Sequence, residues 1–224
     1  IKETKTDWII RLDSDDICYK RRTEEILKVI QLKKRNIALI SSNVNYIDKN
    51  SNIIGKSKKT NSKLIKYKLL AGMNTIYHPS VTIKKSALIE LNGYREKYKH
   101  AEDYDLWLRL VDKYKIYHIN KRLIGYRVHQ NQITQKYRNL SLRNRLNALE
   151  DYIKNKSKNK GYKLILNLHI MLKRSLYNQE LLIIRKKRYQ HKKINRITKL
   201  LDLYFKTSIL NICRVYIMIL NILL

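Results

Sequence analysis

The sequence predicts an α/β protein, a mixed sheet flanked by helices, followed by a basic and mainly helical carboxyl-terminal region. Three observations carry this. The run Trp8-Ile9-Ile10-Arg11-Leu12 is rich in β-forming residues and ends abruptly in Asp13-Ser14-Asp15-Asp16. Such a run reads as a buried strand that delivers carboxylates to its carboxyl end, where open α/β sheets place their ligands. An amphipathic helix and a second apolar run, Ile37 to Ser42, follow directly, giving strand-helix-strand. From about residue 131 strand patterns stop and helical ones dominate, so the boundary is drawn between residues 1–130 and a tail, 131–224.

The elements follow in order. Residues 22–35 predict a helix with Thr23 as N-cap, Glu24 and Glu25 in the first turn and Lys33-Lys34-Arg35 in the last. Ile26, Val29 and Ile30 form its buried stripe. Tyr46-Ile47-Asp48, a polar Lys49-Asn50-Ser51-Asn52 turn and Ile53-Ile54-Gly55 predict a hairpin. A helix near 61–71 has Leu64, Ile65, Lys68 and Leu69 at helical spacing. Tyr77 to Ile83 is expected extended, because Pro79 biases His78 away from the helical region. Lys85 to Leu91 predicts a short helix, with Gly93 as its left-handed cap. Residues 102–111 predict a helix with Leu106, Trp107 and Leu110 inward and Asp105/Arg109 as an i,i+4 pair. Lys115 to Ile119 and Leu123 to Val128 predict two strands.

The chain has 224 residues, 44% hydrophobic, enough for one domain with an appendage and too apolar for global disorder. Its net charge of +31 attracts anions: nucleic acid, anionic lipid or phosphorylated substrates. A compositional bias toward Lys, Ile, Asn and Tyr, with one Pro and five Gly, accounts for the same charge without a partner. Cys18 and Cys213 form neither a disulfide framework nor a metal spacing, which fits a reducing compartment. Residues 151–206 hold sixteen Lys/Arg against three acidic residues, and Thr207 to Leu224 is apolar with only Arg214 charged. Together they suggest an element lying on an anionic membrane surface rather than spanning it. A solvated helical hairpin whose apolar end packs on the sheet domain is the alternative. The first residue is Ile1, and no strand-helix-strand unit precedes the Asp run, so the sequence is expected to be the carboxyl-terminal part of a longer protein.

Three constellations bear on chemistry. Asp13-Ser14-Asp15-Asp16 has more carboxylates than a turn or helix cap requires, and carboxylates this close suit a hard divalent cation. Glu102-Asp103 opens the helix 102–111, where the dipole favours acids, and either residue suits a general base. Alternation places Arg127 and His129 on one side of the last strand, suited to a diphosphate or a metal. His78, His100, His118, His169 and His191 have no ligand spacing and read as structural or surface residues. A phosphate-binding glycine loop, a nucleophile elbow and a zinc signature are all missing from the sequence.

The order of these pieces resembles glycosyltransferase family 2, of the GT-A fold. The likeness rests on Leu12 to Asp16, His78-Pro79-Ser80, Gly93-Tyr94-Arg95, Glu102 to Arg109 and Tyr126 to His129, and spans about residues 3–133. It implies a partial GT-A (Rossmann-like) mixed sheet and an inverting transfer of sugar from a nucleotide-diphosphate donor to a saccharide or lipid-linked acceptor hydroxyl. The pathway it implies is bacterial surface polysaccharide synthesis, at the cytoplasmic face of the membrane. It implies Asp103, with Glu102 beside it, as the base. Asp13 would contact the nucleotide, Asp15 with Asp13 would hold Mg²⁺ or Mn²⁺, and Arg127 and His129 would meet the diphosphate or metal. Members begin with βα units that hold the nucleobase, expected upstream of Ile1. This chain therefore has the metal and acceptor half, and whether that half is active alone is left open. The rival expectation is a non-catalytic basic module for nucleic acid or anionic membrane. No nucleic-acid motif supports it, and the acidic run argues against a specific nucleic-acid partner.

Overall fold

Asp-rich loops at strand ends meet when their strands run the same way, and the sheet is arranged to do this. The computed structural model describes residues 3–32, 36–129, 132 and 136–156. The chain divides into two units, Ile1–Leu149 and Glu150–Leu224. The strands of the first are β1 (Trp8–Ile10), β2 (Ile17–Cys18), β3 (Ile37–Ile47), β4 (Ile53–Lys56), β5 (Thr82–Lys84) and β6 (Lys115–Arg127). The helices are α1 (Arg22–Gln31), α2 (Ile65–Leu70), α3 (Lys85–Glu90), α4 (Glu102–Lys113) and α5 (Arg138–Lys156).

The sheet order is β1-β5-β3-β6-β2, with β4 paired to β3 as a hairpin. β3 and β6 are parallel, and every other pair is antiparallel. β1 therefore runs in the same direction as β3 and β6, with β5 inserted between β1 and β3. The ends of β1 and β6 consequently open on the same side of the sheet, bringing the loop Arg11–Asp16 toward Tyr126 to His129.

The helix α1 packs through Ile26 and Val29 on Ile40, Ile119 and Leu123, with Ile30 and Trp8 at the margin, the stripe the periodicity predicts. Its start differs from expectation. Arg21, not Thr23, occupies the N-cap and makes no side-chain cap bond. The reason lies in Arg22, which is only 1% exposed. Its Nη2 donates to the carbonyls of Arg11 at 2.6 Å and Pro79 at 3.0 Å, drawing the first turn inward. The helix ends at Gln31, so the basic last turn expected from Lys33-Lys34-Arg35 lies outside the described residues.

Two further expectations change. The segment Tyr77 to Ile83 is not extended throughout: His78–Ser80 forms a 3-10 turn before β5. The Ser80 amide and hydroxyl both donate to the Tyr77 carbonyl, at 2.9 and 2.7 Å, and Pro79 has no N–H to lose at the turn's start. The two strands expected over 115–128 are one strand of 13 residues. Its register against β3 passes from Ser42↔Ile119 to Asn43↔Arg122, so Asn120 and Lys121 form a bulge that reads as a strand break in sequence.

The helix α4 is buried through Tyr104, Leu106, Trp107, Leu108 and Leu110. Its Asp105, 1% exposed, receives Arg95 Nε at 2.9 Å and Arg109 Nη2 at 2.8 Å. Arg109 also donates to the carbonyls of Leu91 and Gly93. Gly93 closes α3 at φ 60°, its amide donating to Leu88 O at 2.8 Å. A buried carboxylate thus holds two guanidinium groups, and these fix the Gly93-Tyr94-Arg95 turn against α4.

Candidate active site

The two acidic runs meet on one cavity of about 300 Å³. Arg11 and Asp13, from the loop leaving β1, line it together with Glu102 and Asp103 from the first turn of α4. Asn74, Tyr77, His78 and Pro79 line it from the segment before β5, and Tyr126 lines it from β6. His100, held at φ 65°, completes the wall next to α4.

The carboxylates of the first run have separate tasks. Asp13 is paired with Arg11 at 2.8 Å. Asp16 Oδ1 accepts the Arg127 amide at 2.8 Å. Burial pushes the Asp16 pKa up to about 6; that hydrogen bond opposes the rise, and Asp15 and Asp13 add to it. Asp15 is half-exposed, with Oδ2 3.3 Å from His129 Nε2. Arg127 spends its guanidinium on protein oxygens: the carbonyls of Asp15 at 2.7 Å, Asp48 at 2.6 Å and Lys49 at 3.0 Å, and Ser51 Oγ at 3.1 Å. It laces the Asp run to the hairpin turn between β3 and β4. Asp15, Arg127 and His129 therefore form one group, joined to the cavity wall through Asp13-Ser14-Asp15.

Asp103 is held more tightly. Oδ2 accepts Asn74 Nδ2 at 2.9 Å and Oδ1 accepts the Tyr104 amide at 2.7 Å. Burial pushes its pKa up to about 6; the two hydrogen bonds and Arg145 pull it back, while Glu102 adds to the rise. A carboxylate tuned in this way is a base poised close to neutrality. Glu102 Oε2 is buried and has no hydrogen-bond partner among the described residues.

His78 Nε2 shares a 2.9 Å hydrogen bond with the Tyr94 hydroxyl, and its ring meets Trp107 edge-on. Burial, helped by Arg11, lowers its pKa to about 3, so the ring is neutral at working pH. Burial also raises Tyr94 to about 12, so this pair acts through hydrogen bonding and not through charge.

Eight cavity residues were not among the candidates read from sequence: Arg11, Asn74, Ile76, Tyr77, His78, Pro79, His100 and Tyr126. His78 stands in the His78-Pro79-Ser80 run, a signal that could have flagged it. Asn74 and His100 carry no local signal, since they reach the cavity only through folding. Among the described residues no three His, Cys, Asp or Glu side chains converge as a metal cage. Mg²⁺ is commonly held by one or two carboxylates with substrate phosphates completing the shell, and Asp13 and Asp15 provide donors of that kind.

Comparison with known proteins identifies a family. The family described as "Glycosyltransferase like family 2" matches residues 1–194. An Escherichia coli O-antigen biosynthesis glycosyltransferase, WbnJ, is 29% identical over 139 residues, covering 61% of this chain and 53% of the relative. A UDP-Gal:alpha-D-GlcNAc-diphosphoundecaprenol beta-1,3-galactosyltransferase of Escherichia coli is 35% identical over 103 residues, 46% of this chain and 37% of the relative. The Escherichia coli UDP-Glc:alpha-D-GlcNAc-diphosphoundecaprenol beta-1,3-glucosyltransferase WfgD is 30% identical over 162 residues, 69% and 58% of the two chains. The chain spans about half the length of the curated relatives it matches. With both acidic runs on one cavity and the family matched from residue 1 to 194, the chain belongs to glycosyltransferase-like family 2.

Proposed function

We propose that this chain supplies the metal and acceptor side of an inverting glycosyltransferase. The enzyme moves a sugar from a nucleotide-diphosphate sugar to a hydroxyl of a lipid-linked saccharide, in bacterial surface polysaccharide synthesis. The observation that supports the reading best is that Asp13 and Asp103 line the same cavity, with the Asp103 pKa pushed up to about 6. Asp103 takes the proton of the acceptor hydroxyl as its oxygen attacks the anomeric carbon. Asn74 fixes Oδ2 and so aims the carboxylate. Attack from the side opposite the leaving diphosphate inverts the anomeric centre, as in the two-sided geometry of inverting hydrolases.

Asp15 and Asp13 would hold Mg²⁺ or Mn²⁺, with His129 beside Asp15, and Arg127 would act by fixing the Asp15 backbone. When bound, the cation neutralises charge growing on the departing diphosphate. The net charge of +31 supports a site of action at the anionic cytoplasmic face of the membrane. No helix among the described residues is long and apolar enough to cross a membrane. The basic stretch over 157–206 and the apolar end, 207–224, lie outside the described residues.

The test is Asp103→Asn in the enzyme, assayed with labelled UDP-sugars and a synthetic α-GlcNAc-diphospho-lipid. Turnover should fall ~10²–10⁴-fold while UDP binding holds. The wild-type rate should rise with pH through about 6, as Asp103 ionises, and the variant should lose that step. Retained turnover in the variant would remove Asp103 from the mechanism.

A further inference from the structure

The cavity has an aromatic wall to which the transfer chemistry assigns no task. Tyr77 and Tyr126 line it beside Asp103. Their ring centroids are 6.0 Å apart and tilted by 58°. Tyr46 of β3 meets both rings edge-on, at 6.1 and 6.2 Å. The hydroxyls of Tyr46 and Tyr77 are hydrogen-bonded at 2.5 Å. Three rings from β3, β6 and the segment before the 3-10 turn therefore fix one another. The neighbouring β4 makes room for the cluster: a Cβ on Gly55 would lie 3.2 Å from Tyr46 Cδ2, tighter than ordinary contact. Burial and the Tyr46 hydroxyl raise the pKa of Tyr77, which stays a neutral phenol.

The chemistry around this wall is two-sided. On one hand are the rings of Tyr77 and Tyr126, packed on each other and on Tyr46, which offer contact area at little cost in side-chain entropy. On the other are hydrogen-bonding groups from Asn74, His100, Glu102 and Asp103. A pyranose is two-sided in the same sense, with a C–H face and a rim of hydroxyls. The negative face of an aromatic ring attracts C–H groups, and the carboxylates and amide accept or donate to hydroxyls. A diphosphate suits the wall poorly, because the one cation lining the cavity among the described residues, Arg11, is already paired with Asp13. A volume of about 300 Å³ stands at the small end of ligand pockets and is enough for a sugar ring.

We propose that Tyr77 and Tyr126 form the platform on which the terminal pyranose of the acceptor lays its C–H face, turning one hydroxyl toward Asp103. This rests on the reading of the cavity as a glycosyl-transfer site and adds the substrate class that its acceptor side selects. Tyr46 acts through the other two, as a positioning residue.

The experiment is saturation-transfer NMR on this chain, irradiating aromatic protons. The probes are the methyl α-pyranosides of glucose, galactose, mannose and N-acetylglucosamine, with UDP plus Mn²⁺ as the donor-side probe. At least one pyranoside should receive saturation, strongest at its C–H face. Tyr77→Leu and Tyr126→Leu should each weaken its binding about 10-fold, while Tyr77→Phe stays within about 3-fold and UDP affinity is unchanged in all. Urea midpoints report whether each variant folds. If a Leu variant does not, the wild-type saturation pattern decides, since transfer confined to exocyclic or methyl protons excludes stacking. Pyranoside binding indifferent to both Leu variants, or UDP affinity falling in their place, overturns the platform and leaves the family site standing. A wild-type chain from which no pyranoside receives saturation also overturns the platform, while turnover of Asp103→Asn in the enzyme decides the transfer reading separately.

Discussion

The runs Asp13-Ser14-Asp15-Asp16 and Glu102-Asp103-Tyr104-Asp105 look alike as sequence, each with three acids in four residues. The fold uses them differently. The first occupies an irregular loop after β1, where Asp15 is half-exposed and the backbone is held from outside by Arg127. The second opens α4, whose 3.6-residue turn sends Asp105 into the core and leaves Glu102 and Asp103 on the cavity wall. In both runs one carboxylate is structural. Asp105 is a buried node bonded to two arginines, while Asp16 has a single backbone donor and a pKa of about 6. A loop can present several carboxylates together to a cation; a helix separates them by face and so isolates one as a base.

The largest effect that can break this comparison is at Asp105. Asp105→Ala strands two guanidinium groups and should cost on the order of 3–5 kcal/mol of stability, read as the urea midpoint at pH 7. A cost below about 1 kcal/mol would mean that the second run is no more structural than the first. Arg127→Ala comes next. Removing donors to three backbone carbonyls should cost about 1–3 kcal/mol. It should also speed amide exchange in the Asp48–Ser51 turn and at Asp16, while α4 keeps its protection.

Asp16→Asn should have the smallest effect at about pH 4, under about 1 kcal/mol, because folding keeps the wild-type side chain neutral there. Its pH dependence has a definite sign. A carboxyl raised to about 6 in the folded protein contributes stability that is full below its unfolded value of about 3.8 and is lost as pH rises through 6. The wild type should therefore lose stability relative to Asp16→Asn between about pH 4 and 6, with a level difference above that. Urea denaturation of the two proteins across this range measures it.

Much of the site was legible because its chemistry is local. A run of carboxylates at a strand end and an acidic pair at a helix start both announce themselves within a few residues, and the order of the motifs pointed to the family. Less legible was what each residue does. Arg127 has the chemistry of a diphosphate ligand, yet in this structure it bonds four protein oxygens that lie 76 to 112 positions away in sequence. Thr23 has good capping chemistry, but Arg22 is drawn inward by carbonyls 11 and 57 positions distant, and the helix begins earlier. Asn120-Lys121 reads as a break, and only pairing along β3 makes it a bulge inside one strand.

The sequence by itself determined the α/β class, the strand-helix-strand start, the turn between β3 and β4 and the two acidic runs, because periodicity and turn chemistry act over a few residues. Only the tertiary structure decided that β5 separates β1 from β3, that the two runs share a cavity, and that Asn74, Tyr77, His78 and His100 complete it. It also decided the protonation of the acids. The rise of Asp16 and Asp103 to about 6 comes chiefly from burial, and burial is set by what the rest of the chain lays over a residue.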